Sequence, residues 1–237
     1  MTELVVAIDG PAGAGKSTVT RRVAEALGYT VVDTGALYRT VALEAQQQGV
    51  SWDDPARMTA VAERLAGENA IRFGPTQGGM TRVFVRGEDV SSAIRSNQMS
   101  QGASKVSAIA GVRDALLTMQ RSLGAGGGVV LEGRDIGTVV FPEAGAKFFL
   151  TASVDVRAER RYQEHVARGD AIDRERIRQE VAERDARDTG RPVAPLRQAS
   201  DAILVDSSSM SIDEVVAFIV AQVRTLKAAK GAVEAPR

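Results

Sequence analysis

The stretch GPAGAGKS, residues 10–17, lies between an apolar run of strand length, LVVAI (4–8), and a segment of helical period, TVTRRVAEAL (18–27). It matches G-x-x-x-x-G-K-[ST] at Gly10, Gly15, Lys16 and Ser17, in the strand-loop-helix context that a phosphate-binding loop requires. Glycines let backbone N–H groups turn inward on one oxyanion, and the following helix adds its unsatisfied N–H groups and the positive end of its dipole. Lys16 is placed to reach β and γ oxygens of a nucleotide, and Ser17 to ligand Mg²⁺ alongside them. A glycine turn arising by chance would not carry the lysine and the hydroxyl in register.

Strand-length apolar runs continue to alternate with helical segments. TVV (30–32) precedes ALYRTVALEAQ (36–46); GVVLE (128–132), AKFFL (146–150) and AILVD (202–206) follow, then IDEVVAFIVAQVRTL (212–226). Such alternation implies crossover connections and a doubly wound parallel α/β sheet covered on both faces. Between about 68 and 96 the texture changes: IRF (71–73), a GPTQGG turn (74–79) and MTRVFVRG (80–87) read as an antiparallel ribbon, a small insertion on the core. Residues 155–191 are charged and helical, with a break at Arg168-Gly169-Asp170, and the tail 230–237 reads as frayed. His165, the one histidine, reads as a solvated helix residue.

Composition removes several classes of function. The formal net charge is zero, which argues against nucleic-acid and membrane partners needing a surplus of basic side chains. Most basic residues are arginine, whose fork suits phosphate and carboxylate, although a GC-rich genome enriches arginine as well. Without cysteine there can be no disulfide, thiolate metal site or thiol nucleophile, and one histidine cannot make a multi-histidine metal site or a His-based triad. The start lacks a basic segment followed by a long apolar one, and no run of about 18 apolar residues occurs, so a soluble cytoplasmic protein is expected.

The phosphate loop is shared by GTPases, motors and small kinases. An Asn-Lys-x-Asp guanine signature is missing, as is an apolar strand ending in Asp-Glu. Ligands of open α/β sheets sit at the carboxyl ends of strands, and two further strand ends carry chemistry here. TVV runs into Asp33-Thr34-Gly35-Ala36-Leu37-Tyr38-Arg39, and GVVLE into Gly133-Arg134-Asp135-Ile136-Gly137. Asp33 or Thr34 could merely cap a helix, and Arg134 with Asp135 could be a loop ion pair. Arg184, Asp188 and Arg191 fall at i, i+4 and i+7, one face of a helix, which on its own reads as a solvated salt-bridged face.

GPAGAGKST, DTGALYR, EGRDIGTVVFPEA, ERDARDTGR with PVAPL following, and DSSSMSIDEVV together resemble bacterial cytidylate kinases, the P-loop nucleoside monophosphate kinases of CMP and dCMP, in order and spacing over nearly the whole chain. The resemblance implies transfer of the ATP γ-phosphoryl group to CMP or dCMP; a single kinase unit, acting as a monomer, is expected. Its core would cover 1–67, 97–156 and 172–229, its nucleoside-monophosphate-binding insertion 68–96 and its lid 157–171. Gly10, Pro11, Ala12, Gly13, Ala14, Gly15, Lys16, Ser17 and Thr18 would hold ATP and Mg²⁺. The family's acceptor-side hydroxyl and arginine fall on Thr34 and Arg39, its base-reading Ser and Arg on Ser104 and Arg113, and its Arg-Asp pair on Arg134 and Asp135. Ribose and phosphate contacts fall on Arg184, Asp188 and Arg191, and lid arginines on Arg157, Arg160 and Arg161. Family members often carry Pro just before the pair that here is Val112-Arg113; this chain has Ala110-Gly111, and Gly also breaks a helix.

These groups suit such a transfer. A carboxylate such as Asp135 accepts from the cytosine N4 amino group while Arg113 donates to the neighbouring acceptors, and uracil would set a carbonyl against the carboxylate. The acceptor phosphate is already anionic, so no general base is needed, and catalysis falls to Mg²⁺, Lys16, Arg39, Arg134 and Arg191 with a lid to exclude water. A uridylate, adenylate or shikimate kinase is the nearest rival reading, and a nucleotide-dependent switch the rival of another class.

Overall fold

The computed structural model describes residues 3–77, 80–167 and 169–234. The chain divides into two compact units, one formed by residues 1–31 and 126–237 and the other by residues 32–125.

The first unit is organised on a five-stranded sheet: β2 (Thr30–Asp33), β6 (Val129–Gly133), β1 (Val5–Asp9), β7 (Ala146–Thr151) and β8 (Ile203–Asp206), in that spatial order. β6, β1, β7 and β8 pair in parallel, Asp9 standing opposite Gly133 on one side and Phe149 on the other. Apolar residues of β1 and β7, among them Val6, Ile8, Phe148 and Leu150, pack with Val19 and Val23 of α1 (Lys16–Leu27) and with Ile219 and Val223 of α8 (Ile212–Glu234). The strands are short apolar runs, and α1 and α8 turn apolar stripes to the sheet, while α6 and α7 pack on each other through Ala158, Ile177 and Val181. α1 stops at Gly28, whose φ of 69° is the left-handed conformation that glycine adopts without strain. A short π-turn, Ile136–Val140, follows β6, and α6 (Val154–Ala167) and α7 (Arg174–Gly190) follow β7.

The second unit gathers α2 (Gly35–Gln47), α3 (Pro55–Gly67), α4 (Asn97–Val106) and α5 (Ala110–Gly124) around a core that includes Leu37, Met58, Leu65, Met99 and Leu116. An antiparallel sheet in the order β3 (Ile71–Gln77), β4 (Met80–Val85), β5 (Glu88–Asp89) adds Ile71, Val83 and Val85 to that core. β4 and β5 are joined by Arg86 and Gly87, both at positive φ, 50° and 89°, the backbone that a two-residue hairpin turn requires. α3 opens on Asp54, whose side chain accepts from the Arg57 N–H, with Pro55 at the first helical position.

The expected fold class holds, and three details of the sequence reading change. The unit carrying the antiparallel ribbon spans 32–125 instead of the 68–96 insertion, because four helices share one apolar core with the ribbon. The ribbon gains a third strand, and β3 runs through Gly74 to Gln77 where a turn was expected; residues 78 and 79 of that turn lie outside the described residues. Helix α8 continues to Glu234, so 230–234 are helical and not frayed, and 235–237 lie outside the described residues.

Candidate active site

The phosphate loop leaves β1 at Asp9 and enters α1 at Lys16. Gly10, Gly13 and Gly15 have φ of 151°, 77° and 89°. A side chain at Gly10 would overlap the Leu150 carbonyl oxygen, and one at Gly13 would sit 3.0 Å from the Arg157 carbonyl oxygen, so the loop needs glycine for space as well as conformation. No side chain caps α1, which leaves its first N–H groups for an anion. Lys16 Nζ donates to the carbonyls of Gly10 and Pro11, each at 2.7 Å. Burial first, and then the charge of Arg134, push its ammonium well below the usual lysine value. Ser17 Oγ donates to Glu132 Oε2 at 2.9 Å, and Glu132 is itself buried.

At the end of β6, next to β1, stands a cluster of arginines and carboxylates. Arg134 Nε donates to Asp188 Oδ2 at 2.8 Å, and Arg134 Nη1 donates to the Gly133 carbonyl at 3.2 Å. Arg184 Nε lies 3.9 Å from the same Asp188 oxygen, and Arg191 Nη2 lies 3.5 Å from Asp135 Oδ1. Burial alone would raise the Asp188 carboxyl; Arg134, then Arg184 and Arg191 outweigh it and hold Asp188 below the usual carboxylate range. The Leu196 N–H donates to the Asp188 carbonyl at 2.7 Å and Arg191 Nε donates to the Ala194 carbonyl, which folds the chain after α7 back over its last turn. The helical face 184, 188, 191 is thus a half-buried to buried cluster with Arg134 and Asp135, not a solvated one.

Two lid assignments shift. Arg157 is buried at 4% exposure, donating to the Ala152 carbonyl at 2.8 Å, the Ala12 carbonyl at 3.1 Å and both Asp185 oxygens at 3.0 and 2.6 Å. It braces the phosphate loop from behind and has no guanidinium face to offer a transferring phosphoryl group. Arg160 donates to the Ala14 carbonyl at 3.3 Å and to Ser207, and Arg161 is half-buried. The expected break between α6 and α7 is present, with Gly169 at φ 81°. His165 is a correction: it is buried at 5% exposure, its Nδ1 2.8 Å from Asp170 Oδ2, because the chain turns back after α6 and brings Asp170 against the helix end.

The second unit carries the other candidates. Thr34 is buried at the start of α2. Arg39, one turn on, donates to Asp33 Oδ2 at 2.6 Å, while Asp33 Oδ1 accepts from the Ala36 N–H at 3.2 Å. Ser104 of α4 and Arg113 of α5 are brought together: Arg113 Nη1 donates to the Ser107 carbonyl at 3.2 Å, and Ser107 Oγ donates to the Ser104 carbonyl at 3.1 Å. The Arg113 guanidinium lies 5.5 Å from the centre of the Tyr38 ring. The Ala110-Gly111 departure leaves this arrangement whole, since α5 opens at Ala110 and a side chain at Gly111 would overlap Thr59 of α3.

Sequence reasoning missed Glu132 as the partner of Ser17, Asp185 as the partner of Arg157, and Asp9, whose carboxylate accepts from the backbone N–H groups of Ile136 and Gly137. An acid at a strand end just before the glycine loop was the one available signal for Asp9. Among the described residues no group of three or more His, Cys, Asp or Glu side chains is placed to hold a metal by itself.

The cytidylate kinase family model matches residues 6–225. The chain belongs to the cytidylate kinase family. Cytidylate kinases of Geobacter sp. (strain M21) and Syntrophotalea carbinolica are each 50% identical to it, over 90% of this chain and 89% and 88% of theirs. That of Leuconostoc mesenteroides subsp. mesenteroides is 46% identical over 92% of this chain and 96% of its own. A gluconokinase from Sinorhizobium meliloti 1021 shares the fold, with a TM-score of 0.51 at 16% identity over 99% of both chains. Membership of the cytidylate kinase family agrees with the resemblance carried by the sequence motifs, and no helix among the described residues is long and apolar enough to cross a membrane.

Proposed function

We propose that this cytidylate kinase family member transfers the γ-phosphoryl group of ATP to CMP or dCMP, giving ADP and CDP or dCDP, as a cytoplasmic monomer with no nucleic-acid or membrane partner. The observation that carries this reading is the clustering of Arg134, Arg184 and Arg191 about the buried carboxylates Asp135 and Asp188, one strand away from the phosphate loop. Such a cluster offers cations to a phosphoryl group and carboxylates to the polar edges of a nucleoside.

An acceptor phosphate oxygen attacks the γ phosphorus in line; the new P–O bond forms as the bond to the β-γ bridging oxygen breaks, and ADP leaves with that electron pair. Lys16 exchanges the Gly10 and Pro11 carbonyls for phosphate oxygens, and donor charge returns its ammonium toward ordinary basicity. Arg134 and Arg191 face the charge that spreads over the equatorial oxygens, and Asp188 holds Arg134 in place for it. Hard oxygen donors suit Mg²⁺, and Ser17 Oγ beside the Glu132 carboxylate fits it. Bound with the ATP phosphates, the ion supplies charge neutralisation.

In the second unit Thr34 and Arg39 serve the acceptor phosphate, and Ser104 and Arg113 the base, with Asp135 accepting from the cytosine amino group. The stretch that excludes water lies beyond Arg161, because Arg157 and Arg160 are tied to the phosphate loop.

An ADP-release assay on the purified protein with CMP, dCMP, UMP, AMP and shikimate tests the proposal. Fastest turnover with CMP or dCMP is expected. Fastest turnover with AMP or shikimate would refute the substrate, and slow release indifferent to every acceptor would favour a nucleotide-dependent switch.

A further inference from the structure

The transfer as derived makes no use of Asp9, a fully buried carboxylate at the end of β1. Its oxygens accept from the Ile136 N–H at 2.8 Å and the Gly137 N–H at 2.7 Å, the two amides that immediately follow Arg134 and Asp135. An ionised carboxylate accepts both bonds, whereas an asparagine there could accept one and would turn an N–H toward the other. The post itself is rigid. Asp9 is paired in the sheet on both sides, to Gly133 and to Phe149, and Gly10 beyond it is wedged against the Leu150 carbonyl.

Two side chains of the loop that hangs on this post have ion-pair partners, Arg134 in Asp188 and Asp135 in Arg191. Arg134 is held by Asp188 and by the Gly133 carbonyl, so its place does not depend on the Ile136 and Gly137 amides. Asp135, besides its contact with Arg191, is built into the turn by its backbone: its carbonyl accepts from the Val139 N–H at 2.9 Å and the Val140 N–H at 3.2 Å, and the turn's first two amides are those that Asp9 holds. On the far side, a side chain at Gly137 would lie 3.2 Å from the Lys147 methylene stem, so the turn is closed in between Asp9 and Lys147.

We propose that Asp9 is a positioning residue for acceptor selectivity: by holding the Ile136 and Gly137 amides, it fixes the Asp135 carboxylate where that group reads the nucleobase. The inference rests on the base-reading role given to Asp135 above. It makes selectivity depend on a residue that touches neither nucleotide and ends β1, just before the phosphate loop.

The test compares kcat/KM for CMP and UMP, and KM for ATP, in the wild type, Asp135→Ala, Asp9→Asn and Asp9→Ser. Asp9→Asn should reduce the CMP-to-UMP ratio by about 10-fold, within the range of a single base contact, and leave KM for ATP within about threefold. General destabilisation would lower the active fraction for both acceptors equally and leave the ratio alone. An unchanged ratio in both Asp9 variants, with a collapsed ratio in Asp135→Ala, would overturn the Asp9 role and leave the substrate assignment standing. No CMP preference in the wild type, or none lost in Asp135→Ala, would bring down the base-reading assignment and the inference with it. Should the Asp9 variants not fold, amide exchange in the wild type decides: Ile136 and Gly137 should exchange at least about 100-fold slower than unstructured chain, and exchange at the unstructured rate would overturn the proposal.

Discussion

The two units differ in how densely their candidate residues are paired as ions. In the first, buried and half-buried charges answer one another: Arg134 with Asp188, Arg157 with Asp185, Arg191 near Asp135. In the second, Arg39 pairs with Asp33, and Arg113 donates to the Ser107 carbonyl beside the Tyr38 ring. A charged network is costly to break, because removing one partner strands the other in a poorly solvated place. A cation on a carbonyl can be lost at less expense.

Lys16→Ala breaks the first kind of arrangement most directly. Turnover should fall by about 10³-fold, the scale of one cation at a phosphoryl transition state, with thermal stability kept, and single-turnover kinetics checks it. Asp188→Ala removes the carboxylate that Arg134 and Arg184 share. Urea denaturation should show a loss of about 3–5 kcal/mol, the cost of an uncompensated buried charge. In the second unit Gly111→Ala pushes a methyl into Thr59 and should cost about 1–3 kcal/mol by overpacking. Hydrogen exchange should find that loss in α3 and α5 and not in the phosphate loop; a loss spread evenly through both units would erase the contrast.

The smallest expected effect is on selectivity against pH. Burial and, more weakly, the Asp135 charge raise the Asp9 carboxyl to about 6 against the two amide bonds and Lys16, which favour its ionised form; the Lys147 stem closes the other side. Protonation takes away one of the two acceptors the turn needs, so the CMP-to-UMP ratio should decline severalfold as pH falls through about 6. The acceptors' phosphates titrate alike and cancel in the ratio. A ratio flat from pH 7.5 to pH 5.5 would show that the turn keeps its place without an ionised Asp9.

What could be read from the sequence was what is contiguous. The glycine loop, the Gly133-Arg134-Asp135 strand end and the 184, 188, 191 helical face each lie within one short stretch, where spacing converts directly into geometry. Asp9 did not yield, since its amide partners lie 127 and 128 residues away and belong to a π-turn with no periodic signature. His165 was misjudged for a local reason: its neighbours in sequence are charged, and only the left-handed turn at Gly169 carries Asp170 back to it. In the second unit Asp54-Pro55 announces α3, yet the extent of the unit depends on four helices sharing a core, which no single stretch reveals.

The bracing of Arg157 has a mechanical consequence. Its guanidinium joins three places at once: the backbone of the glycine loop at Ala12, the end of β7 at Ala152 and α7 at Asp185. A rod bolted down at its root can swing only at its tip. If the α6–α7 hairpin closes over the site as proposed, the opening stretch of α6 would act as a bearing and the helix ends around Gly169 would carry the movement.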